Sequence, residues 1–98
     1  MTIEKNKNGN ELTIKLAGRL DTTTAPELSN TLESSYEGIT DLKFDFTDLE
    51  YISSAGLRVL LSAQKVMNKQ GKMVITGVNE TINEIFEITG FSDVLTIE

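Results

Sequence analysis

Two adjacent hydroxyls, Ser53 and Ser54, stand where a strand pattern gives way to a helix pattern, within Asp48-Leu49-Glu50-Tyr51-Ile52-Ser53-Ser54-Ala55-Gly56-Leu57-Arg58. Serine at a helix N-cap accepts a hydrogen bond from an otherwise free backbone N–H and contributes on the order of 1 kcal/mol. That role accounts for one serine. The other chemistry open to such a hydroxyl is phosphate acceptance, because the N–H groups and roughly half a positive charge at a helix N-terminus accommodate a phosphate. A phosphate adds about 1.5 to 2 negative charges at neutral pH and would spoil a partner surface shaped for a hydroxyl. Gly56 suits either a close approach by phosphate or partner backbone, or tight packing of the helix on a sheet.

Other chemistries have less behind them. The 98 residues include no histidine and no cysteine, which removes the imidazole base, the thiolate nucleophile and cysteine-based zinc sites. A small α/β enzyme using Asp21, Asp45 or Ser54 is the weakest reading, since neither histidine nor a neighbouring lysine is there to activate Ser54. Asp45 and Asp48 with one hydroxyl make a poor magnesium cage, so no metal site is expected. Lys65, Lys69 and Lys72 read as a solvated face, and Met67 and Met73 as core filling. Nine basic against fifteen acidic residues give a net charge of −6, which opposes direct binding of nucleic acid or an anionic membrane. No apolar run approaches the roughly 20 residues that cross a bilayer, and the N-terminus lacks a signal-peptide pattern. No membrane insertion is expected, and the cytoplasm is the default location.

The elements that must carry the two serines follow from periodicity. Leu12, Ile14 and Leu16 alternate with polar residues as in a half-buried strand, and Asn8-Gly9 before them signals a hairpin to a short strand over residues 3–5. Ala25, Leu28, Leu32 and Tyr36 keep helical spacing, with Thr24 and Glu27 as a capping box, Pro26 in the first turn and Gly38 as the stop. Leu42, Phe44 and Phe46 mark a third strand, and a broad apolar surface from Ser54 to Asn68 a helix that Gly71 ends. The apolar run Met73 to Val78 reads as an interior strand covered on both faces. Ile82, Ile85 and Phe86 mark a last helix with Gly90 as a left-handed cap and Phe91 folding back over its last turn, followed by a final strand over residues 94–97. The order β-β-α-β-α-β-α-β predicts one domain, residues 1–98, of α/β class: a mixed sheet with an N-terminal hairpin followed by alternating helices and strands. Binding loops in such sheets cluster at the carboxyl ends of the parallel strands, which nominates the Gly18–Thr24 and Thr47–Ala55 turns.

These residues carry a family resemblance. Gly18-Arg19-Leu20-Asp21, the segment Asp48 to Leu57, Gly71-Lys72-Met73-Val74-Ile75 and Ile85-Phe86-Glu87-Ile88-Thr89-Gly90 together resemble the STAS domain of bacterial anti-sigma factor antagonists, over essentially the whole chain. The resemblance implies a phosphorylation-controlled protein-binding switch rather than an enzyme. Aligned on Gly56-Leu57, the phosphorylated serine corresponds to Ser54, with Ser53 as the alternative acceptor, and the family aspartate at the kinase interface corresponds to Asp21. Many members carry Asp where this chain has Ser53, and Ser or Thr where it has Ala55. The implied partners are an anti-sigma factor serine kinase, which alone would hold ATP and magnesium, and a serine phosphatase. The implied contact surface is Asp21, Thr22, Ser53, Ser54, Ala55, Gly56, Leu57 and Arg58. Similar stand-alone STAS domains resemble accessory or scaffold subunits of membrane transport ATPases, a second reading that involves no phosphorylation.

Overall fold

The Asn8-Gly9 turn closes a hairpin. In the computed structural model, which describes all 98 residues, β1 (Thr2–Asn8) pairs antiparallel with β2 (Glu11–Leu20), and Gly9 takes the left-handed backbone, φ +64°, that such turns favour. From there the chain alternates: α1 (Ala25–Glu33), β3 (Asp41–Ile52), α2 (Ser54–Gln70), β4 (Lys72–Thr76) and α3 (Glu80–Thr89), then a short 3₁₀ turn over Phe91–Asp93. The four strands lie in chain order, with β2–β3 and β3–β4 parallel as crossover helices require.

One face of the sheet holds the core. Leu12, Ile14 and Leu16 on β2, Leu42, Phe44 and Phe46 on β3, and Met73 and Ile75 on β4 are buried together with the inner faces of all three helices in one cluster of 22 residues. The opposite face carries Lys15, Lys43 and Asp45 and stays open to water. Met67 and Met73 fill core space as expected.

Several boundaries differ from the expectation, each for a local reason. β3 continues past Thr47 to Ile52, so the expected Thr47–Ala55 turn shrinks to the junction at Ser53. Two irregularities in the β2–β3 register change the spacing of its buried residues from two, at Phe44 and Phe46, to three, at Leu49 and Ile52, and so erase the period-2 signal. α1 stops at Glu33 rather than at Gly38, because the hydroxyls of Thr31, Ser34 and Ser35 donate to carbonyls of the last turns and compete with the helical ladder. Tyr36 accordingly lies beyond the helix, half-buried, where desolvation first and the nearby Glu33 second push its phenol up to about 12. β4 ends at Thr76 and is covered on one face rather than both: buried Met73 and Ile75 alternate with half-exposed Val74 and Thr76. The final strand reduces to one parallel bridge between Ile75 and Ile97, with the Ile75 amide donating to Thr96 O at 2.9 Å.

Gly71 ends α2 for a reason other than a left-handed cap. Its backbone is extended, and a Cβ there would collide with the Thr40 carbonyl. Gln70 fastens the same corner, its Nε2 donating to Ile39 O at 2.6 Å and Tyr36 O at 2.7 Å. Gly90 is the left-handed cap expected of it, with φ +79°, and Phe91 packs against the core.

Candidate functional site

Leu20 and Ile52, the last residues of β2 and β3, are register partners, and the Ser53 amide extends the pairing by donating to Leu20 O at 2.9 Å. The turn that starts at Asp21 and the helix that starts at Ser54 therefore leave the sheet side by side, at the carboxyl ends of two parallel strands. This is where the sequence places both candidate loops.

The Asp21 turn is held from within. Asp21 Oδ1 accepts from the Thr23 hydroxyl at 2.7 Å, the Thr23 amide at 3.0 Å and the Thr24 amide at 3.2 Å. The Thr23 hydroxyl, foremost, and these amides hold the Asp21 carboxyl below its ordinary range, so it is an anion at neutral pH. The expected capping box is absent. Thr24 occupies the N-cap of α1, yet its hydroxyl donates to Arg19 O at 2.9 Å and accepts from the Asp21 amide at 2.8 Å, so the carboxylate of Asp21 rather than Thr24 binds the turn amides. Thr22 is exposed and takes part in no side-chain hydrogen bond.

At the second junction the two serines divide the work. Ser53 is the N-cap of α2, extended at φ −99° and ψ 176°, with its hydroxyl accepting from the Gly56 amide at 3.5 Å. Ser54 is then the first helical residue. It is exposed, and no side-chain hydrogen bond engages it. The first α-helical bond, from the Leu57 amide to Ser53 O at 3.0 Å, comes after the amides of Ser54 and Ala55, the free donors that an anion at this end would meet. The first turn of α2 carries no acidic residue, and exposed Arg58 follows Ser54 by one helical turn.

Not all the residues expected at a contact surface reach it. Asp21, Thr22, Ser53, Ser54 and Arg58 do, and Ala55 is half-buried against the core. Gly56 and Leu57 are buried. A Cβ on Gly56 would lie 2.7 Å from Leu20 Cγ and 2.8 Å from Ile52 Cγ1, so this glycine lets the first turn of α2 press onto the strand ends. Its role is the packing one of the two that its sequence position allowed.

Two neighbours escaped the sequence reading. Arg19 lies over the Tyr51 ring, 4.6 Å from its centroid, and the β2–β3 register that pairs these residues was the missing signal. Asn79 caps α3 by accepting from the Ile82 amide at 2.8 Å and also donates to Leu49 O at 3.0 Å, tying α3 to the end of β3. An Asn three residues before the first periodic apolar position was the available cue. The acidic pair that raised a metal site is otherwise engaged: Asp48 pairs with Lys15 at 3.3 Å, and Asp45 accepts from Thr47 Oγ1 at 2.6 Å.

Known proteins share this fold. The family model for the STAS domain matches residues 2–98. The anti-sigma-B factor antagonist of Listeria monocytogenes is 35% identical over 97 residues, covering 96% of this chain and 84% of its own length. That of Bacillus subtilis is 30% identical over 98 residues, covering 99% and 90%. Among solved structures, an anti-sigma factor antagonist from Mycobacterium paratuberculosis superposes with a TM-score of 0.88 at 18% identity, covering 98% of this chain and 83% of that one. The unphosphorylated form of the anti-sigma factor antagonist SpoIIAA superposes with a TM-score of 0.79 at 15% identity, covering 99% and 87%. A domain model matched almost end to end, joined by relatives at this level of identity on the same fold, means that the chain belongs to the STAS domain family.

Proposed function

We propose that this protein is an anti-sigma factor antagonist whose binding is switched by phosphorylation of Ser54. The observation that carries the site is the division between the serines: Ser53 is committed to the cap, and Ser54 presents a free, exposed hydroxyl in the first turn of a 17-residue helix. The names of the relatives support the antagonist role and do not favour the accessory subunit of a transport ATPase.

In the unphosphorylated state the chain docks a kinase-type anti-sigma factor through the Asp21 turn and the exposed start of α2, and the sigma factor is released. The kinase holds ATP and magnesium. Ser54 Oγ forms a bond to the γ-phosphorus as the bond to the ADP oxygen breaks, and the hydroxyl proton passes to a base of the kinase. The product dianion sits against the free amides of α2 with Arg58 one turn away, so the domain tolerates it. The complex does not, because a phosphate buried against a surface shaped for a hydroxyl costs several kcal/mol, and each 1.4 kcal/mol is tenfold in affinity. A serine phosphatase restores the binding form. The chain itself acts as a binding protein in this cycle.

The test is phosphorylation by the cognate kinase with ATP, followed by peptide mass spectrometry and a binding assay on both forms. One phosphate on Ser54 and loss of binding are expected. Stoichiometric phosphorylation of a Ser54→Ala chain would overturn the site, and equal binding by both forms would overturn the switch.

A further inference from the structure

The charge of this molecule is unevenly placed. Residues 1–72 carry ten acidic against nine basic side chains, whereas residues 73–98 carry Glu80, Glu84, Glu87, Asp93 and Glu98 and no Lys or Arg. Neither ion pair of the structure, Lys15–Asp48 or Lys72–Asp41, reaches this last segment. On α3, Ile82 and Phe86 face the core, and Glu80, Glu84 and Glu87 are exposed on the other side. Glu80 and Glu84 stand four residues apart, as do Glu84 and Ile88, so they share one stripe, and the like-charged pair opposes helix formation. Ile88 is 85% exposed in that stripe, and Val94, beyond the 3₁₀ turn, is 48% exposed; they are the two exposed large apolar side chains of the protein. Half-buried Ile85 and Phe91 pack on the core behind them.

We propose that the outer face of α3, centred on Ile88 and rimmed by Glu84 and Glu87, docks a basic amphipathic helix of a partner protein. An apolar side chain of that helix covers Ile88, and its Lys or Arg residues neutralise carboxylates that nothing in this chain neutralises. Charge complementarity selects this occupant. Nucleic acid and anionic lipid are repelled by the same carboxylates, and a second copy would bring acid against acid if it used the same face. The ten-residue helix offers about 15 Å of length, enough for two to three turns of a partner. The surface is also separate from the Ser54 switch. Asn79 places the start of α3 beside Leu49, and Ile88 lies about 12 Å further along the helix axis from Glu80. Contact there survives phosphorylation of Ser54 and can keep a partner attached while the switch turns over.

The experiment is an NMR titration of the ¹⁵N-labelled chain with a synthetic Lys/Leu peptide whose leucines follow i, i+3, i+4 spacing, and with a scrambled peptide of the same composition. Shifts confined to α3 and the residues around Val94, with the scrambled peptide at least about tenfold weaker, are expected. Ile88→Ser and the double variant Glu84→Lys/Glu87→Lys each weaken binding about tenfold, while Glu33→Lys on α1 changes it by less than about twofold. Thermal unfolding checks that the variants, all at exposed positions, remain folded. Equal binding of both peptides, shifts spread over α1, or no binding at millimolar peptide overturns the proposal. A dimer of the free chain that Ile88→Ser dissolves also overturns it and assigns the face to a second copy. All these readouts stand whether or not Ser54 is phosphorylated.

Discussion

The Ser53 amide donates to the Leu20 carbonyl at 2.9 Å, and through this bond the turn that begins at Asp21 and the helix that begins at Ser54 become one surface. Asp21 and Ser54 lie 33 positions apart in sequence. The parallel pairing of β2 with β3 ends at the same level for both strands, so the two candidate loops emerge together without any direct side-chain bond between them.

The two serines are predicted to separate in assays of stability and modification. Ser53→Ala removes the cap oxygen and lowers stability by about 0.5 kcal/mol, the small end of the capping range, because the bond to Gly56 N–H is long at 3.5 Å. Its Ser54 still accepts phosphate. Ser54→Ala leaves the thermal midpoint nearly unchanged and accepts none. Differential scanning calorimetry and intact mass after kinase treatment measure both; a stable Ser53→Ala chain without modification would reverse the roles.

Phosphate on Ser54 should stabilise the isolated domain, by about 0.3 to 1 kcal/mol at low salt, because a dianion meets free helix amides and Arg58. The gain shrinks as salt rises. Comparing thermal midpoints of the two forms at low and high ionic strength checks it. A lower midpoint for the phosphorylated form at low salt would mean that repulsion, from Asp21 above all, outweighs the helix terminus.

Gly56→Ala should destabilise the protein by about 1 to 3 kcal/mol, even though alanine is the better helix former by about 1 kcal/mol. The added methyl meets buried Leu20 and Ile52 at under 3 Å. Because relief requires α2 to lift from the strand ends, the same variant should also weaken partner binding in a titration with the anti-sigma factor. Unchanged urea midpoints would show that the contact relaxes freely.

Asp21 should titrate below an ordinary aspartate. With its folded value lowered, the contribution it makes to stability is present above the unfolded value near 4 and is lost as pH falls through the folded value. The Thr23 hydroxyl is the largest cause, so Thr23→Val moves the midpoint up toward the ordinary value. Carboxyl ¹³C NMR across pH 2 to 6 follows it. An unaltered midpoint in Thr23→Val would place the cause in the backbone amides instead.

Gly71→Ala tests the other end of α2. The Cβ runs into the Thr40 carbonyl, a backbone atom that cannot rotate away, so a loss of about 3 kcal/mol or more in chemical unfolding is expected. A smaller loss would mean that the corner held by Gln70 shifts as a unit.

The strands and helices were legible from local periodicity because a single layer of helices on a single sheet face leaves each buried residue a strict place in the pattern, as at Leu12, Ile14 and Leu16 or Leu42, Phe44 and Phe46. Composition already excluded histidine and cysteine chemistry, and the pair Ser53-Ser54 before a helix announced a cap beside a free hydroxyl. Which serine does which depended on the last residue of β3, and that depended on register irregularities opposite β2, a property of two strands that neither contains alone. The same holds for Thr24, whose hydroxyl donates to Arg19 O instead of capping α1, and for Gly71, whose need for hydrogen is set by Thr40 thirty-one residues earlier. Side-chain type and spacing are local, and they specify what a segment can do; contacts between distant segments choose among those possibilities, because only packing determines which polar group finds a partner and which is left for solvent or a ligand.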